Sequence, residues 1–157
     1  MELIMLVGVP TSGKSTYVDD LLENQYWETS TILSTDNYIE QAAIVKGVTY
    51  NGMFKDAIGP ANSYLNHQLS EAISTQNPII WDQTNLTVKT RKKKLDKVPI
   101  WWRRVAIYFE VSIEEAMRRN QFRQGKVIPD ETLKKMFEDY QRPFYEESFD
   151  EIINGTN

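Results

Sequence analysis

One stretch near the start restricts this chain more than any other: residues 8–15, Gly-Val-Pro-Thr-Ser-Gly-Lys-Ser, fit G-x-x-x-x-G-K-[ST] at every fixed position. The apolar run Leu3–Gly8 precedes it and reads as a buried strand. From about Lys14 onward, Tyr17, Val18, Leu21 and Leu22 fall on one face of a helix. In such a strand–turn–helix unit, backbone N–H groups converge on phosphate oxygens at the positive end of the helix. Gly8 and Gly13 are expected to supply backbone angles closed to other residues. Lys14 can then reach the β- and γ-phosphates, and Ser15 can offer its hydroxyl to Mg²⁺. The loop specifies a nucleoside triphosphate but not a reaction. A guanine-reading N-K-x-D is missing; Lys93-Lys94-Leu95-Asp96 lacks the Asn and reads as coincidence.

The rest of the chain alternates strand and helix signals. Thr31–Thr35, Pro78–Trp81, Arg104–Val111 and Phe149–Ile153 read as further strands. Ala61, Tyr64, Leu65, Leu69, Ala72 and Ile73 recur at helical spacing, as do Leu133, Met136, Phe137 and Tyr140. Ser112-Ile113-Glu114-Glu115 has capping-box spacing, and Lys89–Lys97 reads as an exposed basic helix. This alternation predicts an α/β fold of three layers, with a parallel sheet of about five strands and helices on both faces. Ligands of such sheets sit at the C-terminal ends of the strands.

Acids stand at two of those ends. Asp36 directly follows Thr31–Thr35, where a carboxylate can accept the proton of a hydroxyl attacking a γ-phosphate; an Asp-Asn pair is also a common helix cap. Ile79-Ile80-Trp81-Asp82 ends in an acid placed to orient Mg²⁺, while Thr84 and Asn85 could contact an acceptor or merely shape a turn. Arg119 and Arg123 are four residues apart after Ser112, so they are expected to project on one side. On a basic lid, such arginines stabilise transferring phosphate; on a solvated face they do nothing. Arg118 points elsewhere, His67 reads as a surface residue, and Trp101-Trp102 read as core rather than as a base-stacking platform.

Composition removes other chemistries. The chain of 157 residues has no cysteine and one histidine, which excludes disulfides, thiolate zinc sites and histidine cages. No apolar run approaches the roughly 20 residues of a membrane span, and no signal segment is evident, so a cytoplasmic location without membrane partners is expected. The net charge of −4 hides a sharp division. Residues 1–88 carry −7, residues 89–126 carry +8 and residues 127–157 carry −5. The positive segment lies between the Asp82 loop and the presumed lid, where it suits a local anionic partner.

Taken in order, Gly8–Thr16, Asp36-Asn37-Tyr38, Asp82-Gln83-Thr84-Asn85-Leu86, and Arg119-Asn120-Gln121-Phe122-Arg123 leading to Ile128-Pro129 resemble the 5′-kinase domain of polynucleotide kinases of the bacteriophage and animal types. Tyr140-Gln141-Arg142-Pro143 and Glu147-Ser148-Phe149-Asp150-Glu151-Ile152 also resemble the tail of the animal-type domain. The resemblance covers nearly the whole chain and implies a nucleotide-kinase-like P-loop fold over residues 1–157, with a lid at about 118–130. It implies ATP-dependent transfer to the 5′-hydroxyl of DNA or RNA ends, in the setting of nucleic-acid repair. Asp36 would be the general base, with Lys14 and Arg123 on the transferring phosphate. Gly8, Pro10, Thr11, Ser12, Gly13, Lys14, Ser15, Thr16, Arg119 and Arg123 would hold ATP. Asp36, Asp82, Thr84 and Asn85 would face the acceptor, and Ser15 and Asp82 would serve Mg²⁺. One position departs from the bacteriophage pattern: Ile39 stands where an arginine helps hold the acceptor's phosphate. A small-molecule kinase with a nucleoside, nucleotide or sugar acceptor is therefore the alternative. A nucleotide-binding switch without phosphotransfer is a third, and Asp36 argues against it.

Overall fold

The structure is a computed structural model that describes residues 1–156. Five parallel strands form one sheet in the order β2-β3-β1-β4-β5. They are β1 (Glu2–Val7), β2 (Thr31–Leu33), β3 (Ile79–Trp81), β4 (Arg103–Tyr108) and β5 (Glu151–Asn154). The helices are α1 (Lys14–Leu22), α2 (Thr35–Lys46), α3 (Tyr50–Thr75), α4 (Val88–Leu95), α5 (Ile113–Asn120) and α6 (Asp130–Asp139). The expected three-layer α/β architecture is therefore present.

The two-residue strand period divides the core. Leu3, Met5 and Val7 of β1 face one side and pack with Leu65, Leu69 and Ala72 of α3 and Leu95 of α4. Ile4 and Leu6 face the other side, against Val18 of α1, Trp27 and Phe109. Both faces are covered, which is why these strands read as continuous apolar runs. A third cluster, Ile39 with Ala57 and Ala61, joins α2 to α3.

Several local details differ from the sequence reading. The second strand stops at Leu33 because Ser34 becomes the cap of α2, its hydroxyl accepting from Asn37 N at 3.5 Å. Asp36 is thus in the first helical turn and is not the cap. Helix α3 begins at Tyr50 and runs through Gly52, Gly59 and Pro60, three residues that argue against a helix in isolation. Ser112 caps α5 from its side chain, but the returning half of the box is absent because the Glu115 carboxylate turns to Arg118 and Arg119.

The basic helix is only partly exposed. Arg91 is completely buried, and Lys94 turns inward onto Gln83 and Asn85. The tandem tryptophans also part company: Trp102 is core, whereas Trp101 is exposed. His67 lies on the surface as expected. No helix among the described residues is long and apolar enough to cross a membrane.

Candidate active site

Strand β1 is central: the chain first builds β2 and β3 on one side of it, then crosses over to build β4 and β5 on the other. A crevice opens where the winding reverses, at the C-terminal ends of the strands. The loop after β1 enters it. Gly13 sits at φ 104° as the first residue before α1, so its freedom in backbone angle is needed. Gly8 is required for another reason, packing. A side chain there would meet Ser12 Oγ at 2.7 Å and the Phe109 carbonyl at 3.1 Å. Thr11 takes the second left-handed position of the loop, at φ 69°, without being glycine.

Lys14 is folded back on its own loop, its Nζ donating to the carbonyls of Gly8 at 2.9 Å and Val9 at 2.8 Å. Burial lowers its pKa to about 8, against the opposing pull of Asp82 and Asp36. The ammonium is therefore held ready, with weak partners, for a better anion.

A cavity of about 650 Å³ spreads in front of the loop. Pro10, Thr11, Lys14, Ser15, Asp36, Asp82, Thr84 and Arg123 line it, so most of the residues singled out in the sequence converge here. Burial pushes the Asp82 carboxyl up, and Lys14 pulls it down. Ser12, Gly13, Thr16 and Arg119 line a smaller cavity of about 290 Å³ on the other side of the loop. Helix α5 ends at Asn120, so Arg119 and Arg123 do not share a helix face. Arg119 Nη1 donates to the Thr11 carbonyl at 2.9 Å and its Nε to Glu115, beside the smaller cavity. Only Arg123 reaches the larger one. Arg118 and Arg119 share Glu115 and hold its carboxyl down at about 2.

Asn85 does not join them. It is buried at φ 49°, its Nδ2 donating to the Leu6 carbonyl at 2.7 Å and to the Gln83 carbonyl at 3.1 Å, and its Oδ1 accepting from Lys94. It ties β1 to the loop after β3 from below. Its neighbour Gln83, not singled out in the sequence, lines the larger cavity and links Lys94 and Trp81 Nε1 to Thr35 Oγ1.

Three further residues of the cavity escaped the sequence reading. Tyr50 donates its hydroxyl to Asp36 Oδ1 at 2.6 Å, and burial with that bond drives its own pKa far up. Asn51 and Phe54 follow it along the wall. Their signal, an aromatic pair four apart, was present but lay in the half of α3 that glycine and proline disguise.

Residues 3–143 match the sequence profile of the AAA domain family designated AAA_33. The chain belongs to this family. It is 26% identical over 162 aligned residues to a bifunctional polynucleotide phosphatase/kinase of Schizosaccharomyces pombe, covering 96% of this chain and 32% of the relative. It is 28% identical over 149 residues to an L-seryl-tRNA(Sec) kinase of Methanococcus maripaludis, covering 90% of this chain and 53% of that one. The chain thus spans between a third and about half the length of these relatives. Among solved structures, a candidate kinase from Chloroflexus aurantiacus superposes with a TM-score of 0.72 at 18% identity, over 98% of this chain and 83% of the other. Sheet topology and loop together give this family member the P-loop fold.

Proposed function

We propose that this protein is a kinase, and that it transfers the γ-phosphate of ATP to the 5′-hydroxyl of a DNA or RNA end. Residues 1–157 would act as one domain, with about 118–130 as lid. The observation that carries the reading is the convergence of Lys14, Ser15, Asp36, Asp82 and Arg123 on one cavity, in the motif order of the polynucleotide kinases. The polynucleotide phosphatase/kinase relative supports this acceptor, and the L-seryl-tRNA(Sec) kinase supports only the broader idea of a substrate that carries nucleic acid.

In this reading the acceptor hydroxyl donates its proton to the free oxygen of Asp36 as the new O–P bond forms. The bond from the γ-phosphorus to the bridging oxygen of ADP breaks in line. Lys14 leaves the Gly8 and Val9 carbonyls for the β- and γ-phosphates, and Arg123 meets charge on the equatorial oxygens. The smaller cavity, with Thr16 and Arg119, receives the nucleoside of ATP. Mg²⁺ fits the donors present. No cluster of three or more His, Cys, Asp or Glu capable of holding an ion occurs among the described residues. Ser15 and Asp82, a hydroxyl and a carboxylate on one cavity wall, would hold the ion beside the phosphates. Its chemistry there would be to offset charge on the β- and γ-phosphates.

A small-molecule acceptor is the second reading, and two observations favour it. Position 39 is buried in the α2–α3 contact, out of reach of any acceptor phosphate. The charged lining of the larger cavity is balanced, with Lys14, Arg123 and Lys126 against Asp36, Glu40 and Asp82. γ-Labelled ATP with Mg²⁺ and a panel of 5′-hydroxyl DNA, 5′-hydroxyl RNA, nucleosides and simple sugars separates the two. Label on the oligonucleotides is expected. Label confined to a nucleoside or sugar would replace the first reading with the second.

A further inference from the structure

We infer that Tyr50 is a positioning residue that couples docking of the lid to the orientation of Asp36. The inference rests on the reading of Asp36 as the base. Tyr50 opens α3, and its hydroxyl donates to Asp36 Oδ1 at 2.6 Å. Because that phenol stays protonated, it is the donor, and it engages one carboxylate oxygen while leaving the other for the acceptor hydroxyl.

The same turn of α3 is where the lid lands. Asn51 N donates to the Gly125 carbonyl at 3.0 Å, and Asn51 Nδ2 donates to the Val127 carbonyl at 2.9 Å. Between those two contacts, Lys126 lies over the Tyr50 ring, its Nζ 4.6 Å from the centroid, and forms an ion pair with Glu40 of α2. Glu40 is one helical turn beyond Asp36. Gly125 sits at φ 68°, and a Cβ there would stand 3.1 Å from the Thr49 Cβ, so the lid approaches this turn as closely as glycine allows. Thr49 in turn caps α3, accepting from Gly52 N at 3.1 Å.

Residues 125–127 therefore grip the Tyr50 turn by its backbone and ring, and α2 through Glu40. Arg123 belongs to the same segment and lines the same cavity as Asp36. When the lid is docked, the base is held by Tyr50 and Arg123 is in place. When it lifts, Asn51 and the Tyr50 ring lose their partners together, and Asp36 loses its fixed orientation. A transferable phosphate would thus meet an oriented base only under a docked lid, which limits loss of ATP to water.

The test uses Tyr50→Phe, Asn51→Ala, the double variant and Asp36→Asn in the full chain. The acceptor is whichever of an oligonucleotide, a nucleoside or a sugar the wild type phosphorylates fastest. Tyr50→Phe keeps the ring beneath Lys126 and removes only the hydroxyl, so the fold is retained. Its kcat is expected to fall about ten- to hundredfold, with KM for ATP unchanged. Asn51→Ala is expected to fall less, and the double variant no further than Tyr50→Phe alone, since both changes act through one contact. Wild-type kcat in Tyr50→Phe, a rise in KM for ATP without loss of kcat, or fully multiplicative losses in the double variant would overturn the inference. Wild-type turnover in Asp36→Asn would instead remove the base reading on which it rests.

Discussion

Residues 88–97 and 119–127 are both rich in positive charge, and each follows a strand that ends at the crevice. Their arginines nevertheless meet opposite fates. Arg91 of α4 is buried in a bidentate pair with Glu147, at 2.8 Å from Nε and 2.7 Å from Nη2. Its Nη1 also donates to the carbonyls of Asn85 at 2.9 Å, Leu86 at 3.1 Å and Gln141 at 2.8 Å. Arg123 of the lid stands at the wall of the cavity of about 650 Å³, which Lys14 and Asp36 also line. The first arginine closes the scaffold beneath the site, and the second remains available to a ligand. The difference lies in carbonyls outside helix and sheet: the loop at 85–86 and the tail at 141 present acceptors that one guanidinium reaches together. Gln141 completes that junction, its N donating to the Leu86 carbonyl at 2.8 Å and its Oε1 accepting from Val88 N at 2.9 Å. The tail segments that resemble the animal-type kinase therefore hold the Asp82–Asn85 loop in place rather than touch substrate.

This contrast predicts separable losses. Arg91→Met strands the Glu147 carboxylate in the interior and should cost about 3–5 kcal/mol of stability, read as a large fall in Tm. A Tm within about a degree of the wild type would mean that Arg91 is not the scaffold arginine. Arg123→Ala should leave Tm unchanged and lower kcat about 10²- to 10³-fold. Loss of stability with retained turnover would reverse the assignment of the two regions.

Two smaller effects sharpen it. Lys14 binds phosphate as the ammonium, and its pKa in the free enzyme is about 8. Protonation is complete below that value and is lost as pH rises through it. ATP affinity, measured by calorimetry, should be flat below about pH 8 and fall by up to roughly tenfold per unit above it. Affinity unchanged to pH 9.5 would show that the loop carbonyls do not release Lys14 as described. On α4, Lys89, Lys92 and Lys93 are exposed and Lys94 is not. Replacing Lys92 and Lys93 by Gln should reduce the salt dependence of single-stranded oligonucleotide binding by at most about 1.4 in log–log slope. An unchanged slope would leave this face as plain solvated surface.

Much of the fold was legible because burial on both sheet faces writes itself as apolar runs, as in Leu3–Val7 and Ile79–Trp81. The start of α3 was not, since Gly52, Gly59 and Pro60 oppose helix locally and tertiary packing of Ala57 and Ala61 on Ile39 overrides them. Tyr50, Asn51 and Phe54 were lost with it. Loop residues Lys14 and Ser15 were legible because phosphate chemistry fixes their spacing. Asn85 stays ambiguous in sequence for the opposite reason: a polar residue at a strand end looks alike whether it faces ligand or caps buried carbonyls. Arg91 and Lys94 read as surface for a related reason, because sequence shows a charge but not the acceptors that draw it inward.

The central claim is that Asp36, held at the first turn of α2, accepts the proton of the attacking hydroxyl. Single-turnover transfer from γ-labelled ATP by Asp36→Asn, with ATP binding measured on the same sample, tests it most directly. Binding is expected to persist while transfer falls below about a thousandth of the wild-type rate. Transfer at the wild-type rate would contradict it.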